Sequence, residues 1–404
     1  MNGLDFMTDS LNETPRSQRF HIGIFGRRNS GKSSLINAFA GQHISIVSDV
    51  AGTTTDPVYK SMELHGIGPC VLIDTAGFDD IGELGKIRVE KTALAAEKTD
   101  AAVILLSDID MSDELRWFRY FTDKNVPVVL VISKADSRDD IRMLSEAAER
   151  ETGLSPIIFS SHDGRGTAEL REALIKAAPH EPSARDITGS LAADGDSVLL
   201  VMPQDIQAPQ GRLILPQVQT IRELLDKKCV VTAVTTDRLD AALASMKEPP
   251  KLIITDSQVF AAVWAKKPPQ SRLTSFSVLF AAYKGDINYF CEGAAAIDSL
   301  SESSHVLIAE CCTHAPLSED IGRVKLPALL RKRIGGGLTV SIVSGSDFPA
   351  DLSPYDLIIQ CGACMFNRRY VMSRVDSAKV QSVPMTNYGV AIAYLTGILD
   401  KIDY

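Results

Sequence analysis

An α/β chain, opening with a doubly wound, mostly parallel sheet and continuing into two smaller α/β units, is what this sequence predicts. Three observations carry that expectation. Short apolar runs recur at 20–25, 71–73, 101–106, 128–132 and 157–159, with helical patterns at 84–98 and 141–152 between several of them. Strands alternating with helices build a parallel sheet covered on both faces. A glycine-bounded segment joins the first strand to the first helix, and ligands on such sheets meet the carboxyl ends of the strands. Two breaks then interrupt the pattern. Residues 181–196 mix Pro, Gly, Ser and charge without periodicity, and Lys266-Lys267-Pro268-Pro269 cannot continue a helix. The expected division is a disordered leader at 1–19, a first domain at 20–180, a linker at 181–196, a second domain at 197–270 and a third at 271–404.

Composition narrows the function classes. The 404 residues are 45% hydrophobic and 23% charged, ordinary for a globular protein, with a net charge of −9. An acidic balance weighs against a nucleic-acid partner, which favours a basic face. The leader has no signal-like apolar core, and no apolar run approaches the ~18 residues of a membrane span. A cytoplasmic protein with no membrane partner is expected. In a reducing compartment the seven cysteines are not a disulfide framework, and their clustering suggests metal or redox chemistry.

The first domain carries its chemistry at strand ends. Gly26-Arg27-Arg28-Asn29-Ser30-Gly31-Lys32-Ser33 fits G-x-x-x-x-G-K-[ST] between a strand and a helix. Backbone amides in such a loop, with Ser34 at the helix start, aim partial positive charge at phosphates. Lys32 reaches the β- and γ-phosphates, and the Ser33 hydroxyl ligates Mg²⁺. Downstream, Ala51-Gly52-Thr53-Thr54-Thr55 supplies Thr54 as a second Mg²⁺ ligand, with Thr53 beside the nucleotide. Asp74-Thr75-Ala76-Gly77 places a carboxylate at the Mg²⁺ shell and an amide at the γ-phosphate. Ser133-Lys134-Ala135-Asp136 offers a carboxylate to the N1–H and N2–H₂ of guanine, and Ser160-Ser161 an amide to its O6. Each short motif alone is weak, since a polar turn after a strand is common. In this order on one sheet they indicate a GTPase.

These five motifs resemble the translation-factor-related GTPases, in particular the TrmE and Era branch. That resemblance implies that Asn29 helps hold K⁺ beside the nucleotide. Position 78, where Ras-like enzymes orient water with glutamine, is Phe78, so hydrolysis should be slow, with Asp79 and Asp80 as weak base candidates. Ser133 stands where asparagine is usual.

The second domain shows no phosphate loop, metal spacing or nucleophile, and its small size suggests a dimerisation module. In the third, Val306–Ala309 leads to Glu310-Cys311-Cys312-Thr313-His314, and Leu357-Ile358-Ile359 to Gln360-Cys361-Gly362-Ala363-Cys364. Parallel neighbouring strands would bring these ends together around a metal centre. A Zn²⁺ site of Cys₃His type and a thiol pair at 361 and 364 stay open on spacing alone.

The whole arrangement resembles the FeFe-hydrogenase maturation GTPases, the HydF family. Its motif is Cys-x-His, a gap of about fifty residues, then His-Cys-x-x-Cys. Cys312, His314, Cys361 and Cys364 match it, and Gln360 departs from it. The resemblance implies a GTPase domain, a dimerisation domain and an iron–sulfur domain in this order. It also implies a 4Fe–4S cluster on Cys312, Cys361 and Cys364 and leaves the fourth ligand open; of His314, Glu310, Glu319 and a small exchangeable molecule, a loosely held His314 or Glu319 is the expectation, because a carrier's cargo must displace it. A homodimer would carry a di-iron precursor, made with two radical-SAM maturases, to the apo-hydrogenase. The alternatives are a TrmE- or Era-like GTPase acting on tRNA or the ribosome, and a GTPase with a structural zinc site.

Overall fold

The computed structural model describes residues 16–41, 46–50, 57–78, 83–178, 186–203, 213–310, 321–345, 347–363 and 366–404, and divides into units at 1–182 and 183–404. The first unit runs β1 Phe20–Gly26, α1 Lys32–Gly41, β2 Ile46–Val50, β3 Val58–Leu64, β4 Gly68–Asp74, α2 Glu83–Ala96, β5 Ala101–Leu106, α3 Ser112–Asp123, β6 Val128–Ile132, α4 Ile141–Thr152, β7 Ile157–Ile158 and α5 Thr167–Ala177. Its seven strands lie in the order β2-β3-β4-β1-β5-β6-β7. Only β3 is reversed, pairing antiparallel with β2 and β4.

Period-2 alternation sends successive side chains of these strands into different cores. Ile22, Ile24, Val103, Leu105 and Val131 pack with Leu35, Phe39 and Leu170 on one face. Phe25, Ala102, Ile104 and Leu130 pack with Trp117, Phe121 and Leu144 on the other. Full burial of each such aliphatic side chain stabilises the fold by roughly 1.5–3 kcal/mol. Cys70 is part of the first core, and burial pushes its thiol pKa up to about 12, so it is a packing residue.

The second unit continues with β8 Ser197–Val201, α6 Leu215–Asp226, β9 Val230–Val234, α7 Leu239–Ser245, β10 Leu252–Thr255, α8 Phe260–Trp264, β11 Arg272–Ser275, α9 Phe276–Lys284 and α10 Ile287–Ala295. It ends with β12 His305–Ala309, α11 Leu326–Ile334, β13 Thr339–Val343, β14 Leu357–Gln360, α12 Arg368–Val380, β15 Met385–Asn387 and α13 Tyr388–Leu395. Two fully parallel sheets result, β11-β10-β8-β9 and β13-β12-β14-β15.

Both expected borders shift. From Ile187 onward the expected linker is structural: Ile187, Leu191 and Ala192 pack on Val198, Leu200 and Ile254. The second sheet also passes position 270, because β11 pairs with β10. Local composition marks a polar surface break but not the strand pairing that crosses it.

The two sheets share one topology. In each, the first strand is central, the second lies on one side, and the third and fourth on the other. The sequence echoes this, with Leu252-Ile253-Ile254 on β10 against Leu357-Ile358-Ile359 on β14. Thr274-Ser275-Phe276 likewise answers Thr386-Asn387-Tyr388. Ser275 caps α9 by accepting from the Val278 amide, and Asn387 caps α13 by accepting from Gly389 and Val390. One core joins the halves: Leu199, Ile253 and Leu273 pack in the same cluster as Leu307, Ile358 and Met385. In this correspondence Asp256 stands in the first half where Cys361 stands in the second.

Candidate functional site

The phosphate loop is built by strand pairing. β1 lies between β4 and β5, with Ile24 opposite Asp74 and Gly26 opposite Leu105, so Asp74 ends beside the loop. Gly31 takes φ +96°, a left-handed value that favours glycine, and Asn29 takes φ 58°. Lys32 is 7% exposed, and its Nζ donates to the carbonyls of Gly26 at 2.9 Å and Arg27 at 2.7 Å. Those carbonyls hold the ammonium over the loop until phosphate oxygens replace them.

The Ser33 hydroxyl donates to Asp74 Oδ2 at 2.6 Å, bringing together the two expected Mg²⁺-shell groups. Burial raises the Asp74 pKa, and the Ser33 bond, Lys32 and Lys60 oppose that rise. Ser30 is buried and Ser34 exposed at the helix start, while Arg28 and Asn29 are exposed on the loop. Gly77 follows the β4 end, and Thr75 donates to the Ile24 carbonyl at 2.6 Å, tying that turn to β1. Thr53, Thr54, Asp79 and Asp80 lie outside the described residues.

The guanine motif clasps the phosphate loop. The Ser133 hydroxyl donates to the Ser30 carbonyl, and Lys134 Nζ donates to the Asn29 carbonyl at 2.6 Å. Serine thus makes the loop contact itself. Asp136 is exposed, and its Oδ1 accepts from the Ser160 hydroxyl at 2.9 Å. The Ser160 amide donates to the Arg165 carbonyl at 3.1 Å, and its hydroxyl orients Asp136. Ser161 is the exposed neighbour. Replacing Asp136 by asparagine is expected to move preference from GTP towards xanthosine triphosphate, whose base reverses the donor pattern. Competition binding would show it, and retained GTP preference would remove Asp136 from base reading.

Sequence reasoning missed Glu114. This α3 residue is 1% exposed, and Arg27 Nε donates to its two oxygens at 3.1 and 3.3 Å. Arg27 also donates to the Asp110 carbonyl. Burial raises the Glu114 pKa, opposed by a backbone hydrogen bond and Arg27. A glutamate on a helix ordinarily reads as solvated, so only the fold reveals this pair. Phe78 is packed near Trp117 of the same helix, 6.4 Å between ring centroids, and offers no water-orienting group.

At the third sheet, β12 and β14 are parallel neighbours with Ala309 opposite Gln360, so the two cysteine segments leave adjacent strand ends. The Cys361 amide donates to the Ala309 carbonyl at 3.0 Å, and its side chain is half-buried. Ala363 takes φ 50°, turning the chain sharply. Gln360 is 1% exposed, and its Oε1 has no hydrogen-bond partner among the described residues. Cys361 thus stands at the topological switch point of this sheet, where ligands meet strand ends, and among the described residues no group of three or more His, Cys, Asp or Glu could hold a metal ion. Cys312, His314, Glu319 and Cys364 lie outside the described residues. Glu310 accepts from Arg323 at 2.9 and 3.1 Å and from Ser344 at 3.1 Å, so it is engaged in an ion-pair network.

Beneath this loop lies Lys284, the last residue of α9, 2% exposed. Its Nζ donates to the carbonyls of Ala363 at 2.8 Å and Phe366 at 2.9 Å. Arg368 answers by donating to Tyr283 and Gly285 carbonyls at 3.2 and 2.8 Å. Burying an ammonium costs several kcal/mol, and hydrogen bonds from a charged donor return about 1.5–3 kcal/mol each. A lysine closing an apolar helix reads as surface in the sequence.

Comparison with known proteins divides the chain in three. Residues 21–134 match the family described as 50S ribosome-binding GTPase. Residues 187–285 match the hydrogen maturase F dimerization domain, and 288–402 the hydrogen maturase F tetramerization domain. The chain is 36% identical over 170 residues to the tRNA modification GTPase MnmE of Paraburkholderia xenovorans, covering 41% of this chain and 36% of that one. It is 35% identical over 178 residues to the GTPase Der of Wolinella succinogenes, covering 42% and 37%. The chain therefore spans little more than a third of the length of these relatives. A crystal structure of Era with MgGDPNP and part of 16S ribosomal RNA aligns at 17% identity over 54% of this chain and 92% of that one, with a TM-score of 0.35. The dimerization and tetramerization matches support oligomerization of the chain. Among the described residues no helix is long and apolar enough to cross a membrane.

Proposed function

The chain belongs to the hydrogen maturase F family, HydF, and carries a GTPase domain; from that premise we propose that it is a GTP-driven iron–sulfur scaffold for FeFe-hydrogenase maturation. The observation that carries this reading is the order of the three matched segments on one chain, with the cysteine segments leaving adjacent parallel strands in the last.

In the GTPase domain, Gly26, Arg28, Asn29, Ser30, Gly31 and Ser34 shape the phosphate cradle, and Lys32 neutralises the β- and γ-phosphates. Ser33 and Thr54 would hold Mg²⁺ with Asp74 behind them, and the ion would supply charge neutralisation. Lys134 and Asp136 hold the base. Hydrolysis is slow, because Phe78 cannot orient water.

Asn29 would hold K⁺ beside the phosphates. GTP hydrolysis is expected to run faster in K⁺ than in Na⁺ at equal ionic strength, with Asn29→Ala removing the difference. Equal wild-type rates in the two salts would eliminate the potassium role.

Cys312, Cys361 and Cys364 would hold a 4Fe–4S cluster, with His314 or Glu319 as a displaceable fourth ligand. Such a site suits a carrier, because cargo must dock and leave. The cargo is a di-iron precursor supplied by radical-SAM maturases and received by the apo-hydrogenase in the cytoplasm. Anaerobically purified protein should be coloured and contain iron and sulfide. A colourless protein with zinc in place of iron would favour the structural-zinc alternative.

A further inference from the structure

We propose that Glu114 is a positioning residue of GTP hydrolysis: through Arg27 it holds the carbonyl on which Lys32 rests. The inference concerns the GTPase domain alone and stands apart from the cluster reading. Arg27 is the second residue of the phosphate loop, and its carbonyl has two donors there. It accepts from the Ser30 amide at 3.2 Å, closing the turn, and from the Lys32 ammonium at 2.7 Å. The Arg27 side chain is tied to α3. Its Nε donates to both oxygens of the buried Glu114, at 3.1 and 3.3 Å, and a second guanidinium nitrogen donates to the Asp110 carbonyl.

An anchor must itself be fixed, and α3 is. Trp117, three residues after Glu114, stacks on Phe25 with 5.6 Å between ring centroids, and Phe121 packs on the same ring at 4.8 Å. Phe25 immediately precedes Gly26, so the helix is locked to the strand that opens the loop. The other side of the loop is held by Ser133 on Ser30 and Lys134 on Asn29. Without Glu114 the loop keeps those two ties and loses the side-chain anchor at Arg27, the residue that bears Lys32. The guanidinium fork on two oxygens fixes direction as well as distance. Catalysis needs the ammonium aimed to within about 0.5 Å, whereas nucleotide binding is shared among the loop amides. Glu114 therefore bears on rate more than on affinity.

The test is single-turnover GTP hydrolysis by the full chain, read beside the GDP dissociation constant and thermal unfolding. Glu114→Gln replaces one acceptor by an amide whose hydrogens oppose the guanidinium. Hydrolysis should slow roughly 10- to 100-fold, the loss expected for a misplaced catalytic group. The GDP dissociation constant should stay within about threefold of wild type, because the lost restraint is felt in the transition state. The double variant Arg27→Met, Glu114→Leu leaves neither partner of the pair orphaned, so it should unfold near the wild-type temperature. It should nevertheless remain as slow as Glu114→Gln. A double variant that recovers rate along with stability overturns the proposal, since the pair then serves packing. So does a Glu114→Gln chain that hydrolyses GTP at the wild-type rate, or one that loses rate and GDP affinity in step. If neither variant folds, the pair belongs to the fold alone and the proposal fails. A wild-type chain without turnover removes the phosphate-loop reading itself, and this inference with it.

Discussion

Lys32→Ala is expected to reduce GTP turnover by at least ~10²–10³-fold, the usual loss when a preorganised charge aimed at the transition state is removed. In the structure the Lys32 ammonium is held by the Gly26 and Arg27 carbonyls, within the loop that must receive the phosphates. Those bonds are exchangeable, so the lysine enters the phosphate site without refolding the loop. The loop itself is held elsewhere, by Ser133 on Ser30, Lys134 on Asn29 and Arg27 on Glu114. Thermal unfolding of the variant without nucleotide should therefore shift little. Single-turnover hydrolysis is the measurement, and full activity in Lys32→Ala would refute the phosphate-loop assignment.

The second large effect is expected at the thiols. Cys361→Ala should lose most of the iron, because two remaining thiolates cannot hold four irons against competing ligands. The chain should stay folded: Cys361 is only half-buried at the edge of a large core, and its main-chain bond to Ala309 survives the substitution. Loss of a partly buried sulfur costs about 1 kcal/mol or less. Iron per chain and the visible spectrum after anaerobic reconstitution measure the outcome. Alanine at Cys312 or Cys364 should behave alike, whereas alanine at the loose fourth ligand should keep the cluster and change its spin-resonance spectrum. A Cys361→Ala chain that retains a full cluster would remove that residue from the ligand set.

Local sequence carries what is locally encoded. The phosphate loop was legible because glycine, lysine and serine must occupy fixed spacings between one strand and one helix. β1, β4, β5 and β6 were legible as apolar runs, and α2 and α4 through helical periodicity. The paired cysteine segments were legible too, since each ends an apolar run. Elements without such a signature escaped. β15 is only three residues long, and α13 is apolar on nearly every side, so neither shows a clear period.

Contacts distant in the chain belong to the tertiary structure alone. Glu114 and Arg27 are 87 residues apart, and Lys284 and Ala363 are 79 apart. Neither charge is distinguishable by its neighbours from a solvated one. The likeness of the two four-stranded sheets shows itself through strand order, because they share topology more than residues. By itself the sequence determined that the chain opens with a GTPase domain and its phosphate loop, and it singled out the carboxylate and the three thiols on which the proposed chemistry rests. Only the tertiary structure decided which distant charges support that chemistry, because burial and strand order are properties of the packed chain and not of any window along it.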